Sequence, residues 1–255
     1  MDVSWIPFSE TQLLIIYVVF FGAALAKGIT GLGFSTACLP FLVLALGLRE
    51  TLPLLLLPSL SSNVLVMRDA GPLKATVSRF WPMFLAQIPG VFLGLWLLNW
   101  LDGGLAAAIL GTVLIVYCVF ALARPALYLS SATARYLRLP CGFVTGSVNG
   151  LTGSQVMPVM PYLLSLQLQP QQLVQAINAS FTVSSVMMVI GLTQLGLLTV
   201  PVAVVSIVGL IPVYFGIKIG SRLREKFSPE MFRKLVLFTL IGLGGVLIMR
   251  LGFMP

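Results

Sequence analysis

Two similar polar segments interrupt the long apolar runs of this sequence, and they constrain its fold more than any other feature. Both contain glycines and small polar residues and both end on proline; they read GITGLGFSTACLP at residues 28–40 and VNGLTGSQVMPVMP at residues 148–161. Alignment of Gly31 with Gly150 also aligns Ser35 with Ser154. Backbone that leaves the helical hydrogen-bond pattern at membrane depth must be buried in protein or line a watery cavity. Paired breaks of this kind therefore indicate the binding site of a membrane transporter.

The apolar runs themselves indicate a membrane protein with several spanning helices. Hydrophobic residues make up 58% of the 255 positions and charged residues only 9%, whereas a soluble domain has about 25% charged residues. The runs are continuous rather than alternating, which argues against a transmembrane β-barrel. We therefore predict an all-α polytopic membrane protein that has the lipid bilayer as a partner. The net charge of +8 comes from basic residues that cluster in a few loops, a pattern typical of membrane topology that indicates no nucleic-acid partner.

The chain divides into two halves that repeat one plan. We predict a first transmembrane repeat at residues 1–123, a cytoplasmic connector at 124–138 and a second transmembrane repeat at 139–255. Each half has two short segments around its break, followed by three longer segments. A glycine pair in the fourth segment of each half extends the repeat and is interpreted as a close helix contact: Gly90 with Gly94, and Gly216 with Gly220.

The basic loops predict how the two halves are oriented. Loops rich in Lys and Arg lie on the cytoplasmic side of a membrane protein. Here they are the loop after the third segment, the connector, and residues 222–234. All three reach one side only if an odd number of segments separates the starts of the halves. We therefore predict two inverted-topology repeats in a multi-pass protein of the cell inner membrane, with broken or re-entrant helices at the glycine-rich motifs. The positions of the basic loops leave open whether the short segments are two spans or one re-entrant hairpin, because both return the chain to the same side.

Each break is predicted to expose the N-terminus of a helix, one beginning near Phe34 and the other near Ser154. A helix N-terminus offers unpaired N–H groups and about half a positive charge, which together favour an anion. Hydroxyl and amide side chains beside the breaks add further donors. The alternative is that the glycines and serines only permit tight helix packing. The candidate substrate-binding residues are Lys27, Thr30, Gly31, Gly33, Ser35, Thr36, Asn63, Asn149, Gly150, Thr152, Gly153, Ser154, Gln155 and Asn178.

Three of these candidates are polar side chains in or beside otherwise apolar segments. Lys27 either neutralises a bound anion or extends to the membrane interface. Asn63 and Asn178 are included because an amide in hydrocarbon is costly without a partner. Each lies on a polar helical face that either lines a pathway or bonds to neighbouring helices. The two faces contain Ser59, Ser62 and Asn63 in the first half, and Gln175, Asn178, Thr182 and Ser185 in the second.

Several kinds of chemistry lack the residues they need. Histidine is absent, the three cysteines have no paired spacing, and the seven acids all lie in terminal or loop positions. No zinc motif or phosphate-binding loop is present. We therefore expect no enzyme activity, catalytic residue, metal or cofactor. Proton-coupled carriers usually hold Asp, Glu or His inside the membrane, so we expect an electrogenic, uniporter-like exporter, with proton or sodium coupling as the alternative.

The two glycine-rich breaks, each followed by an apolar run with proline, resemble the sulfite exporter TauE/SafE family of membrane permeases. The small-residue motifs and the two-half layout extend this resemblance over nearly the whole chain. The resemblance implies export of a small sulfur-containing or organic anion, such as sulfite, sulfoacetate or a related sulfonate or carboxylate. The alternative function is a non-transporting integral-membrane scaffold or assembly protein. The sequence leaves the oligomeric state open, a homo-oligomer included.

Overall fold

The computed structural model describes residues 5–30, 33–69, 73–123, 127–223 and 229–251, with the backbone alone at Thr30, Asp69 and Pro229. These residues form helices and connecting loops, and no strand occurs among them. The helices are α1 (Glu10–Thr30), α2 (Phe34–Leu46), α3 (Leu48–Asp69), α4 (Leu73–Trp100), α5 (Gly103–Ala123), α6 (Ser131–Thr152), α7 (Val159–Ser165), α8 (Pro170–Gln194), α9 (Val200–Val208), α10 (Leu210–Leu223) and α11 (Pro229–Leu251).

Seven stretches within the described residues are long and apolar enough to cross a membrane, which confirms the predicted all-α membrane fold. They lie in α1, α3, α4, α5, α8, the combined α9–α10 segment and α11. The shorter apolar helix α2 accompanies them. At about 1.5 Å of rise per residue, roughly 20 residues span the hydrocarbon core, so α2 and α7 are too short to cross it.

Helices α4 and α6 run in the same direction and pack closely through glycines. Gly142, Gly146 and Gly150 of α6 face the backbone of Met83, Gln87 and Val91 of α4, in matching steps of four residues. A Cβ atom on any of the three would overlap a carbonyl oxygen of α4. Small residues therefore set this helix spacing, as is typical of membrane interfaces.

Helices α1 and α10 form a second parallel pair with the same kind of contact. Gly216 faces the backbone at Phe21, and Gly220 faces Leu25 and Gly28. On α4, Gly90 and Gly94 likewise face the backbone of α6. The prediction that the four paired glycines are close helix contacts is therefore confirmed: Gly90, Gly94, Gly216 and Gly220.

The helix pairs are reciprocal between the two halves of the chain. The first helix of each half packs on the fourth segment of the other, as α1 packs on α10 and α6 on α4. The third helices α3 and α8 contact each other, and so do the last helices α5 and α11. Two related halves would produce this pattern, and it supports the predicted inverted repeat, which remains a prediction together with the proposed domain boundaries.

The contacts place the described basic residues of the predicted cytoplasmic loops at one end of the bundle, here named the basic end. The parallel helices α4 and α6 both begin there, and α10 ends there beside the end of α1. The residues concerned are Arg68, Lys74, Arg79, Arg135, Arg138, Arg222, Arg233 and Lys234. At the opposite end, Arg49 donates to the carbonyl oxygens that end α4, and Arg250 donates to that of Leu44 in α2.

The second break differs from the sequence prediction. The sequence predicted that a helix begins near Ser154. In the structure, residues 153–158 are non-helical and α7 begins at Val159. Gly153 ends α6 in the left-handed conformation, with φ of 74°, and Pro158 disfavours helical backbone at Met157 before it. The first helix of the second half also begins earlier than predicted. Ser130 accepts a hydrogen bond from the Thr133 amide, and α6 begins at residue 131, inside the predicted connector.

A buried polar cavity between the two breaks

The two breaks meet at a small cavity among buried side chains of the bundle. It offers about 20 Å³ to the centre of a water-sized molecule, roughly enough room for one water. Helices α2 and α3 form one wall, and the end of α6, the following loop and α8 form the other. The lining residues are Ser35, Leu39, Leu52, Leu55, Leu56, Ser59, Asn149, Gly153, Gln155, Ser185 and Met188.

On the side of the first break, α2 presents its N-terminal turn to this cavity. The helix begins at Phe34 after Gly33, and no side chain caps it. The first amides of a helix have no intrahelical acceptor. Ser35 lies in this turn and lines the cavity, with its hydroxyl 2.6 Å from that of Ser59 on α3. Thr36, one residue further, is buried beside the lining.

Lys27 points into the protein rather than out to the membrane interface. Its ammonium group donates a hydrogen bond of 2.7 Å to the hydroxyl of Ser62. Ser62 in turn donates to the backbone carbonyl of Ser59, whose hydroxyl reaches Ser35. Three short contacts therefore connect the Lys27 charge to the cavity wall. The ammonium group of Lys27 thus lies inside the bundle, and its role in neutralising a bound anion stays a prediction.

On the side of the second break, a compact turn ends α6 and holds its last residues at the cavity. The Gly153 amide donates to the carbonyl of Asn149 at 2.7 Å, and the Ser154 amide donates to the Thr152 hydroxyl at 3.2 Å. A Cβ atom on Gly153 would overlap the side chain of Leu52. Glycine is therefore required here both for its positive φ and for space.

Three predicted residues carry buried polar atoms that have no hydrogen-bond partner among the described residues. They are the amide nitrogens of Asn63 and Asn149 and the hydroxyl of Ser154, whose side chains are 4%, 1% and 1% exposed. An unsatisfied buried donor costs about 1–3 kcal/mol. Asn149 lines the cavity, so a ligand there would recover part of this cost.

The structure also brings in two hydroxyls that the candidate set left out. Ser59 and Ser185 line the cavity, and Ser185 accepts a hydrogen bond of 3.0 Å from the Gln155 amide. Both lie on the polar helical faces that the sequence shows, and the spacing of polar residues on those faces could have identified them. Beside them, the fully buried Gln87 of α4 bonds to Ser180 and Ser184 of α8, and this cluster connects the two helices.

Other predicted residues lie elsewhere. Gly150 packs against α4, and a Cβ atom there would overlap the Val91 carbonyl. Asn178 donates to the carbonyl of Val174 in its own helix, at 2.8 Å, and does not line the cavity. Gly33 and Thr152 flank the lining without belonging to it. Gly31 and the side chain of Thr30 fall outside the described residues.

The described lining of the cavity is neutral, and a positive charge is connected to it. No carboxylate belongs to the lining, and the full charge connected to it is that of Lys27. Within the described ranges, no group of His, Cys, Asp or Glu side chains could hold a metal ion. The site therefore combines hydroxyls, amides and a helix N-terminus with one nearby positive charge.

The comparisons with known proteins give one family. A family model described as "Sulfite exporter TauE/SafE" matches residues 16–247, which is most of the chain. Comparisons with curated proteins and with solved structures gave no match. The family is one of membrane permeases that export sulfite and related anions, in agreement with the multi-pass helical fold. The match covers both breaks and the helices that surround the cavity, so this chain belongs to the TauE/SafE sulfite exporter family.

Proposed function

We propose that this protein is a secondary transporter that exports a small anion, such as sulfite, sulfoacetate or a related sulfonate or carboxylate, across the inner membrane. The observation that carries the proposal is the Asn149 amide, which faces the cavity between the two breaks without a partner among the described residues. In this proposal, Asn149, Ser35 and Gln155 bind the substrate, and Lys27 supplies the countercharge.

The arrangement of donors supports an oxyanion as the substrate. A sulfite, sulfonate or carboxylate group has two or three oxygen acceptors on one face. The N-terminal turn of α2 lies on one side of the cavity and Asn149 on the other, so donors would reach such a group from both walls once the walls separate. Charge-assisted hydrogen bonds of this kind are about twice as strong as neutral ones. Binding would therefore offset the cost of keeping these donors buried.

The size of the cavity supports a transport cycle in which the two walls separate. With about 20 Å³ open to a water-sized molecule, the site has room for roughly one water and not for an oxyanion of several atoms. One wall belongs to the first half of the chain and the other to the second. Movement of one half against the other would open the site to each side in turn, as in carriers with inverted repeats.

The test is transport by the purified protein in liposomes. We would measure efflux and thermal stabilisation with sulfite, sulfoacetate and short carboxylates, using wild type and Ser35→Leu. Leucine would fill the cavity beside Ser59, so this variant should lose flux and anion-dependent stabilisation. The control is Thr239→Leu, the same loss of a hydroxyl at an exposed position where it bonds only to its own helix.

Two outcomes would contradict the proposal. If no anion of the panel gives flux or a thermal shift with the wild type, the scaffold function is favoured. If Ser35→Leu transports and binds like the wild type, the anion does not bind in this cavity. A folded, monodisperse Ser35→Leu protein is the condition for the comparison, and its melting temperature without anion checks that condition.

A further inference from the structure

We propose that the basic end of the bundle carries a specific site for one anionic phospholipid, with its phosphate between Arg79 and Arg138 and an acyl chain in the adjoining groove. This site lies at the start of α4 and α6, away from the cavity between the breaks. It is independent of the transport proposal, because nothing in its argument depends on what crosses the membrane.

The first observation is a pair of like charges side by side. Along the parallel helices α4 and α6, Met83 faces Gly142, so one turn earlier Arg79 faces Arg138. Both guanidinium groups lie close enough to the Tyr162 hydroxyl to act on it electrostatically. Arg135 lies one turn before Arg138 on the exposed start of α6. Like charges on neighbouring turns repel each other, and an anion bound between them would relieve that repulsion.

The second observation is that no carboxylate among the described residues supplies that anion. No ion pair between these arginines and a carboxylate is found in the part of the chain that the structure describes. The Nε atom of Arg138 is buried and has no hydrogen-bond partner there. The Tyr162 hydroxyl donates to the carbonyl of Ala134 at 2.9 Å, and the Arg138 guanidinium lies beside its oxygen. The Arg138 Nε and the guanidinium donors that Tyr162 does not take would therefore be available to an external phosphate.

The third observation is an apolar groove that begins at the same tyrosine. It has a volume of about 390 Å³ and is open on one side. Its walls come from the connector, α6 and α7: Leu127, Tyr128, Leu129, Leu137, Pro140, Cys141, Val144, Pro158, Pro161, Tyr162 and Ser165. Two hydrogen bonds hold the connector wall against the end of α7, from the Leu129 amide to Ser165 and from Gln167 to Leu127.

A phospholipid is the molecule that matches both parts. A free phosphate or a substrate anion would use the arginines but not the groove, and a neutral lipid would use the groove but not the arginines. Basic loops lie on the cytoplasmic side, where the leaflet contains anionic lipids. Exposed tyrosines such as Tyr128 and Tyr136 suit the level of the lipid headgroups. The groove and the charges are therefore at the right depth for one lipid.

The experiment is native mass spectrometry of the full chain in detergent, titrated with phosphatidylglycerol and with phosphatidylcholine of the same acyl chains. The wild type should bind the first phosphatidylglycerol at least about fivefold more tightly than phosphatidylcholine. Arg79→Gln/Arg138→Gln should lose this preference, whereas Arg79→Lys/Arg138→Lys should keep most of it. Lys218→Gln is the matched control, because it removes an exposed charge that contacts Tyr214 on α10.

A second variant tests the groove separately from the charges. Val144→Trp should fill the groove and weaken binding of the long-chain lipid, while leaving the response to inorganic phosphate unchanged. Equal binding of the two lipids by the wild type would overturn the proposal. It would also be overturned if inorganic phosphate alone occupies the arginines and Val144→Trp binds phosphatidylglycerol like the wild type, because the site would then be one for free anions.

Discussion

The ammonium group of Lys27 in α1 lies 2.7 Å from the hydroxyl of Ser62 in α3. The contact turns the charge of α1 inward, toward α3. The Ser62 hydroxyl donates to the backbone carbonyl of Ser59, and the Ser59 hydroxyl forms a hydrogen bond with that of Ser35 at the cavity. A positive charge inside an apolar bundle is costly and indicates a functional role. The contact thus connects the one inward charge of the first break to the proposed binding site.

Lys27 should therefore contribute to anion affinity. We expect Lys27→Met to weaken anion binding about tenfold or more, because hydrogen bonds to charged groups are worth about 1.5–3 kcal/mol and ~1.4 kcal/mol is tenfold. Lys27→Arg should retain much of the affinity. Isothermal titration or an anion-dependent melting shift measures the effect, with the exposed Lys218→Met as control. Unchanged affinity in Lys27→Met would remove the lysine from the site.

Asn149 permits a test that hardly alters the shape of the cavity. Asn149→Asp replaces the unpartnered amide nitrogen by an oxygen and adds a negative charge, so it should abolish anion binding by repulsion. Asn178→Asp makes the same chemical change on α8, where the amide bonds only to Val174, and should leave binding within about twofold. Equal loss in both variants would indicate a general electrostatic effect rather than a site at Asn149.

The packing of α4 on α6 should depend on each glycine in the contact. Gly146→Ala places a methyl group on the Gln87 carbonyl oxygen and should cost about 1–3 kcal/mol, the range for overpacked positions. Gly245→Ala in α11 meets nothing within 4 Å and should be neutral or slightly stabilising. Thermal unfolding in detergent compares the two. A Gly146→Ala protein as stable as the wild type would show that the helices separate easily.

The orientation of the bundle is tested with two single cysteines. Lys74→Cys at the basic end and Gly103→Cys at the opposite end should react with a membrane-impermeant thiol reagent from different sides, the first from the cytoplasm. The native cysteines, Cys38, Cys118 and Cys141, are all buried, so the unmodified protein serves as a low-labelling control. Reaction of both positions from one side would contradict the predicted topology.

Transport should follow the membrane potential. Moving one negative charge outward across ~100 mV releases about 2.3 kcal/mol, equivalent to a concentration ratio of roughly fifty. The acids whose side chains the structure describes lie at helix termini and loops, away from the cavity lining. We expect efflux from liposomes at clamped potential to rise with voltage. Flux that ignores voltage and follows a pH or sodium gradient would show coupled transport instead.

The first break was predicted more accurately than the second, for a local reason. Gly33 before Phe34 and Ser35 is a simple helix start, and α2 begins where the sequence indicated. In the second half, Ser154 suggested the same start, but Pro158 moves the start of α7 to Val159. The two breaks are therefore similar in sequence and different in backbone. The proline four residues after Ser154 accounts for the difference, because it disfavours helical backbone at the residue before it.

The sequence by itself determined the membrane-helix class, the positions of both breaks and the glycines of the helix contacts. These follow from composition, apolar run length and the absence of a side chain, which are local properties. Only the tertiary structure decided which polar residues face the cavity. Asn149 and Asn178 are both amides on helices, yet one faces the cavity and the other bonds to its own backbone. The direction of a side chain depends on how its helix rotates against its neighbours, and that rotation is set by packing over the whole bundle.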